Sequence, residues 1–236
     1  MKNILVPPKG ESINSVKSFG QEYSAVRLTL LHRESAIEAH ALSSDLHPTD
    51  QKYADELKSV ARRDEFLRSR WLMRAMAIVR PGIATRSESG APHVDADFVA
   101  SITHKAGSVV VAASLASEVM TVGVDLELTS RVRPELAGKI CVETELALLK
   151  GNLALAFAAK EALFKAHYPI GRRMFWFHDA TITAIDWASR RLTMRVNIDT
   201  SPVSLAGSTF QVAWTELDID DQAAILALST MPRSQR

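Results

Sequence analysis

The sequence lacks the features that identify several large classes of protein. Its 236 residues include a single cysteine, Cys141, so no disulfide can form within the chain, and a reducing compartment suits it. The formal net charge is only +1, which provides no general attraction to nucleic acid or to an acidic membrane. The longest apolar runs, 109–116 and 153–159, are too short to span a bilayer, and residues 1–8 lack the apolar core of a secretory signal. We therefore expect a cytoplasmic protein without nucleic-acid or membrane partners.

Familiar ligand-binding motifs are absent from the sequence as well. It contains no P-loop, no Rossmann glycine pattern, no metal-spaced group of cysteines and histidines, and no nucleophile elbow. The composition, 47% hydrophobic and 23% charged, is that of a globular protein able to bury a core. The function must therefore be sought in side chains that the fold brings together.

Alternating extended and helical patterns predict an α+β protein. We expect a loose N-terminal arm over residues 1–20, an N-terminal half over 21–116, a C-terminal half over 117–230 and a disordered tail over 231–236. The valine-rich run 108–115 and the segment after it are predicted to be strands that pair through a tight turn.

The two halves echo each other. Each contains a strand, a helical connection and a helix in which charged residues follow a phenylalanine at steps of four. This echo predicts a pseudo-twofold duplication of two similar α+β halves with the active site at their interface. The matching residues are Phe66, Arg70 and Arg74 in the first half, and Phe157, Glu161 and Lys165 in the second.

Two acids occupy alternate positions of the strand predicted over 119–127. Asp125 and Glu127 share one face of it, where they repel each other unless something neutralises them. A solvated strand end is the ordinary explanation of such a pair. The apolar residues before them indicate a buried approach instead, and a buried pair of acids needs a cation.

Glu161 lies on an apolar helix predicted over 153–167, with Lys160 beside it and Lys165 one turn later. A surface ion pair between Glu161 and Lys165 is the simplest interpretation of this segment alone. Together with Asp125 and Glu127, however, Glu161 supplies a third oxygen ligand. Three such ligands with nearby lysines are typical of a site that holds Mg²⁺ against a phosphate or pyrophosphate.

Basic side chains that could bind such an anion occur in two places. His104 follows two small hydroxyl residues, Ser101 and Thr103, at the entrance of a buried strand, where it could donate to a phosphate or serve as a capping or core histidine. Arg63 and Arg70 lie on a helical segment that ends near residue 79, and they could form a solvated face or bind an anion bidentately.

Read in order, these motifs resemble those of the 4′-phosphopantetheinyl transferases, and in particular the enterobactin synthetase component D and surfactin type. The resemblance covers roughly residues 45–170 and is specific because several short segments match in register. These segments are 46–70, the G-x-P loop 90–92, S-I-T-H at 101–104, G-V-D-L-E at 123–127, E-T-E at 143–145 and F-A-A-K-E-A-L-F-K at 157–165.

The resemblance implies a fold and a reaction. Members of this family are pseudo-twofold α+β monomers that move the phosphopantetheine arm of coenzyme A onto a serine of an apo acyl, peptidyl or aryl carrier protein. It further implies a Mg²⁺ cofactor and a place in nonribosomal peptide or siderophore biosynthesis. The matching positions imply Asp125, Glu127 and Glu161 as metal ligands, Lys160 and Lys165 as neutralisers of the phosphates, Thr103 and His104 as phosphate contacts, Arg63 and Arg70 at the nucleotide, and Glu145 as the base, a role that Glu161 could share.

Three positions depart from the family pattern. Phe157 replaces the usual tryptophan, Thr103 replaces a serine, and Ala91 stands where a basic residue is frequent; Arg86 or Lys105 could substitute for that residue. The alternative hypothesis is a degenerate, non-catalytic homologue that binds coenzyme A or a carrier protein. The presence of all three acids and of Lys165 argues against it.

Overall fold

A computed structural model describes residues 19, 23–35, 37, 42–43, 46–87 and 90–233. It confirms the α+β class. Most of the arm expected at 1–20 lies outside these residues; Phe19, at its end, is buried. Among the described residues, no helix has the length and apolar character needed to cross a membrane.

The first sheet is antiparallel with strand order β1-β3-β2. Its middle strand is buried on both faces, as expected for a valine-rich run. One face of β3 packs against the second of two helices that precede β2 in the chain. The elements of this half are β1 (Arg27–Leu31), α1 (Pro48–Glu56), α2 (Val60–Ala75), β2 (Phe98–Lys105) and β3 (Ser108–Leu115).

The second sheet is also antiparallel, with strand order β4-β8-β7-β6-β5. One of its faces packs against the first sheet, and the other packs against a long apolar helix, α5. The elements of this half are β4 (Val119–Leu128), α3 (Ala137–Ile140), α4 (Glu143–Leu149), α5 (Leu153–Gly171), β5 (Ala180–Asp186), β6 (Arg191–Val196), β7 (Thr209–Ile219) and β8 (Gln222–Pro232).

Three sequence expectations about these elements are wrong. β3 and β4 do not pair, because the chain crosses between the two sheets at the turn that joins them. The disordered tail expected over 231–236 is wrong at its start, since Met231 is buried in β8 opposite Thr121; residues 234–236 lie outside the described residues. The helix predicted to end at 167 continues to Gly171, because Pro169 in the last turn removes only one helical hydrogen bond. The pseudo-twofold duplication remains a prediction.

Helix α5 lies unusually close to β4. A Cβ atom added at Gly123 would be 2.0 Å from the carbonyl oxygen of Ala162, so only glycine permits this approach. The hydroxyl of Thr121, on the same face of β4, donates to the carbonyl oxygen of Ala166. Side chains alternate along a strand, so this packing sets Asp125 beside the helix.

Candidate active site

A cluster of acids and lysines lies between β4, β2 and α5. Asp125 and Glu127 are only 7% and 3% exposed. The Nζ atom of Lys165 is 2.6 Å from Oδ1 of Asp125 and donates to the carbonyl oxygen of Val124 at 3.1 Å. From β2, the Nζ atom of Lys105 is 2.7 Å from Oε2 of Glu127. Each buried acid of β4 therefore has its own lysine.

Glu161 is the third acid of the cluster, and it differs from the other two. No described residue donates a hydrogen bond to its carboxylate. Burial raises the pKa of Glu161, the negative charge of Asp125 raises it further, and Lys165 offsets only part of this effect. The cluster consequently holds more negative than positive charge, with the excess at Glu161.

The donor chemistry of this cluster fits a divalent cation, because three carboxylates with an excess of negative charge meet at one place. The spacing is not that of a preformed site: within the described residues, no three acids, histidines or cysteines already stand at metal-ligand distances. Lys165 and Lys105 each occupy an oxygen of a candidate ligand. A bound cation would replace these lysines as the partner of the carboxylate oxygens.

The hydroxyl groups of β2 hold the edge of β4. Ser101 accepts a hydrogen bond from the backbone N–H of Val124 at 3.1 Å. Thr103 accepts from the N–H of Leu126 at 3.1 Å and donates to Oδ1 of Asp125 at 3.0 Å. Thr103 is buried and its one proton is already donated, so the expected phosphate contact of Thr103 is corrected to a role in positioning Asp125.

Glu145 and Lys160 form a second ion pair, which lies away from the cluster. The carboxylate of Glu145 has no exposure; it accepts from the backbone N–H groups of Val142 and Ile182, each at 2.7 Å, and from Lys160. In this geometry the carboxylate is closed to an incoming serine and serves the fold, and the expected role of Glu145 as the base stays a prediction.

All hydrogen bonds of the Lys160 ammonium group are made within the buried core around this pair. Besides Glu145, it donates to the carbonyl oxygens of Ile140 and Phe177, each at 2.8 Å. Lys160 borders a small cavity, but its side chain is only 2% exposed and all three ammonium protons have acceptors. The expected phosphate contact of Lys160 is therefore not formed. The reason is helical geometry: five residues place Lys160 and Lys165 about 140° apart around the axis.

Two adjoining cavities form a cleft: one is basic, and the other is lined by Lys165 of the acid–lysine cluster. The basic cavity has a volume of about 460 Å³. A second cavity of about 360 Å³ is lined by Lys165 and by apolar side chains, including Phe164 and Met174. The two cavities share Gly90, Pro92 and Ile102, so they adjoin.

The wall of the basic cavity carries three arginines and His104. Arg70 is 6% exposed; burial lowers its pKa to about 10, against the opposing charge of Asp50, so it stays cationic at neutral pH. Arg86 stacks on the ring of Tyr53 with 4.3 Å between the guanidinium carbon and the ring centroid. The third arginine of the wall is Arg62.

Arg63 does not line this cavity. Its guanidinium group binds Asp55 of α1 at 2.8 Å, and its side chain is 47% exposed. Arg62, one residue earlier, takes its place because one residue turns a helix by about 100°. The nucleotide contact expected of Arg63 is therefore not formed in this cavity, and Arg62 is the neighbouring arginine that lines it.

Sequence reasoning missed Glu65, which contacts His104. Nδ1 of His104 is 2.9 Å from Oε2 of Glu65, whose other oxygen accepts from the N–H of Gly107 at 3.0 Å. Burial would raise the pKa of Glu65, but the hydrogen bond and charge of His104 lower it overall. A glutamate in the charged run R-R-D-E resembles a solvated helix face, so no local signal could have identified it.

Comparison with known proteins agrees with the ordered motifs. A model of the 4′-phosphopantetheinyl transferase superfamily matches residues 121–227, and a model of the 4′-phosphopantetheinyl transferase N-terminal domain matches 55–114. The 4′-phosphopantetheinyl transferase PptT of Mycobacterium tuberculosis (strain ATCC 25618 / H37Rv) is 30% identical over an alignment of 162 residues, and the match covers 62% of this chain and 71% of PptT. The chain belongs to the 4′-phosphopantetheinyl transferase superfamily.

A solved structure of this superfamily, Thermotoga maritima holo-[acyl-carrier-protein] synthase (AcpS), is 25% identical with a TM-score of 0.34. The match covers 48% of this chain and 63% of that one. The matched superfamily model spans β4 to β8 and includes the acidic cluster, while the N-terminal domain model spans α2 and strand β2, which carries His104 and Lys105. Residues of both matched regions line the cleft.

Proposed function

We propose that this protein transfers the 4′-phosphopantetheine group of coenzyme A to a serine of an apo carrier protein, with Mg²⁺ as its cofactor. The observation that carries the proposal is the cleft, which has arginines at one end and Lys165 of the acid–lysine cluster at the other. Coenzyme A has the same order of chemistry: a phosphorylated nucleotide, a pyrophosphate and a long pantetheine arm. One molecule of coenzyme A can therefore occupy the whole length of the cleft with a suitable group in each part.

The nucleotide end of coenzyme A would be held by cations. Arg62, Arg70 and Arg86 can bind phosphate oxygens bidentately, and His104 adds a further donor. Lys165 lies where the basic cavity continues toward the acidic cluster, so it would meet the pyrophosphate. The apolar wall beside it, which includes Phe164, suits the pantetheine arm.

Asp125, Glu127 and Glu161 would hold the Mg²⁺ ion. Bound there, the ion would neutralise charge on the pyrophosphate, which is the main requirement of phosphoryl transfer besides alignment. Lys105 and Lys165 would then no longer pair with the carboxylates, and their positive charges would help to neutralise the pyrophosphate.

The reaction exchanges one phosphorus–oxygen bond for another. The serine oxygen bonds to the phosphorus that carries the pantetheine arm, and the bond from that phosphorus to the bridging pyrophosphate oxygen breaks. Adenosine 3′,5′-bisphosphate leaves with the bonding electrons. We assign the serine proton to Glu161, because Glu161 borders a cavity and its carboxylate accepts no hydrogen bond from a described residue, whereas Glu145 is fully buried.

The direct test is to incubate the protein with Mg²⁺, coenzyme A and a panel of apo peptidyl, aryl and acyl carrier proteins, and to measure intact masses. We expect the mass of one phosphopantetheine group to be added, with peptidyl or aryl carriers modified fastest if the protein is of the enterobactin type. No addition to any carrier would contradict the proposal.

A second candidate function is binding without transfer. It is favoured by one observation: lysines already pair with both acids of β4, and the described residues contain no preformed metal site. Calorimetry distinguishes the two functions. Heat from coenzyme A binding, together with unchanged carrier mass across the panel, would support the binding protein.

A further inference from the structure

Glu65 and His104 form a pair at the mouth of the basic cavity, and they come from two elements. Glu65 is on α2 and 9% exposed, whereas the side chain of His104 on β2 is 51% exposed and lines the cavity. Both oxygens of the Glu65 carboxylate have a partner. Oε2 contacts His104, and Oε1 accepts a hydrogen bond from the N–H of Gly107 in the turn between β2 and β3. This anchoring fixes where the imidazole ring can lie.

The contact determines which ring nitrogen carries a proton. The lowered pKa of Glu65 keeps its carboxylate ionised at neutral pH, and an ionised carboxylate can only accept hydrogen bonds. Nδ1 of His104 must therefore be the donor. The remaining ring nitrogen, Nε2, is the one left for a ligand.

For His104 to donate to a phosphate in the cavity through Nε2, that nitrogen must be protonated along with Nδ1. The ring then carries a positive charge. Other positive charges nearby disfavour a positive charge on the ring. They belong to Lys105, beside His104 on β2, and to the arginines of the same cavity, Arg62, Arg70 and Arg86. The carboxylate of Glu65 directly contacts the ring and offsets it.

We propose that Glu65 is a positioning residue that orients His104 with Nδ1 protonated and stabilises the imidazolium when a nucleotide phosphate binds. This inference rests on the proposed function only for the identity of the ligand. It assigns to α2 a second contribution to the cavity, besides its arginines: an acid that makes one histidine an effective hydrogen-bond donor to an anion.

Glu65→Gln tests the proposal with little change of shape. Its amide oxygen can still accept from Gly107, but its amide nitrogen donates to Nδ1 of His104 and leaves a neutral ring protonated at Nε2. The binding of adenosine 3′,5′-bisphosphate alone, measured by calorimetry, should weaken about tenfold. In a His104→Ala background, the same substitution should change affinity by less than about twofold, because the group on which Glu65 acts is gone.

A second measurement detects the protons of the His104 ring directly. Nitrogen-15 NMR of the His104 ring at neutral pH should show Nδ1 protonated, and Glu65→Gln should move the proton to Nε2. Equal losses of affinity in both backgrounds, or an unprotonated Nδ1 in the parent, would overturn the role of Glu65. A parent that binds no adenosine 3′,5′-bisphosphate would instead overturn the proposed function and the ligand named here.

Discussion

Lys160 and Lys165 lie five residues apart on one helix, and each forms an ion pair with an acid, yet the two pairs differ in kind. Lys160 and Glu145 are 2% and 0% exposed in their side chains, and five hydrogen bonds saturate them. Lys165 is 27% exposed and faces the cleft. A lysine in a motif therefore has no fixed role; the side of the helix on which it lies decides whether it supports the fold or meets a ligand.

The buried pair should dominate stability. Lys160→Met leaves Glu145 as a buried charge without its cation, which should lower the free energy of unfolding by about 3–5 kcal/mol. Urea unfolding measures this loss directly. Lys165→Met is the matched control on the same helix, and its loss should be smaller, about 1 kcal/mol, because Lys165 itself is 27% exposed to solvent. Equal losses would break the comparison between the two pairs.

The pair in the cleft should dominate activity. Lys165→Met should lower kcat/KM for transfer about 100-fold, because it removes a preorganised charge at the pyrophosphate. The same preparation should unfold cooperatively near the parent midpoint, which shows that the fold is intact. Transfer at the parental rate by this variant would remove Lys165 from the proposed site.

A smaller effect, the pH dependence of stability, should arise from His167 on the buried side of α5. Burial lowers the pKa of His167, whose Nδ1 bonds the carbonyl oxygen of Leu163 while its ring packs against Phe175 and Phe210. The unfolded state thus binds a proton more readily, so stability is lost as pH falls below about 6.5, by at most about 1.4 kcal/mol per pH unit. His167→Leu should flatten that slope in urea titrations between pH 7 and 5. An unchanged slope would show that other groups cause it.

The sequence allowed the main elements of the cluster to be predicted because they depend on local periods. Alternation along β4 puts Asp125 and Glu127 on one face, and a single helical turn puts Glu161 beside Lys165. The same periods identified β3 as buried, but not its partner: a valine-rich strand buried on both faces carries no information about which neighbour it pairs with. That is why the expected β3–β4 hairpin is wrong.

The errors within the site have a common physical cause. The choice of Arg62 over Arg63, and of Lys165 over Lys160, depends on which side of a helix faces the cleft, and this is set by tertiary packing. Glu65 was missed because its partner, His104, is thirty-nine positions away on another element. Motifs therefore predicted which chemistry to look for, while packing determined which side chain of each motif faces the cleft.

The central claim is that the acids of β4 and α5 carry out transfer from coenzyme A in this cleft. It is tested most directly by intact-mass measurement of an apo carrier protein after incubation with coenzyme A, Mg²⁺ and either the parent or folded Asp125→Asn. Asparagine keeps the shape but removes a charge, so transfer should fall about 100- to 1000-fold. We predict phosphopantetheine addition by the parent and almost none by the variant; equal addition by both would contradict the account.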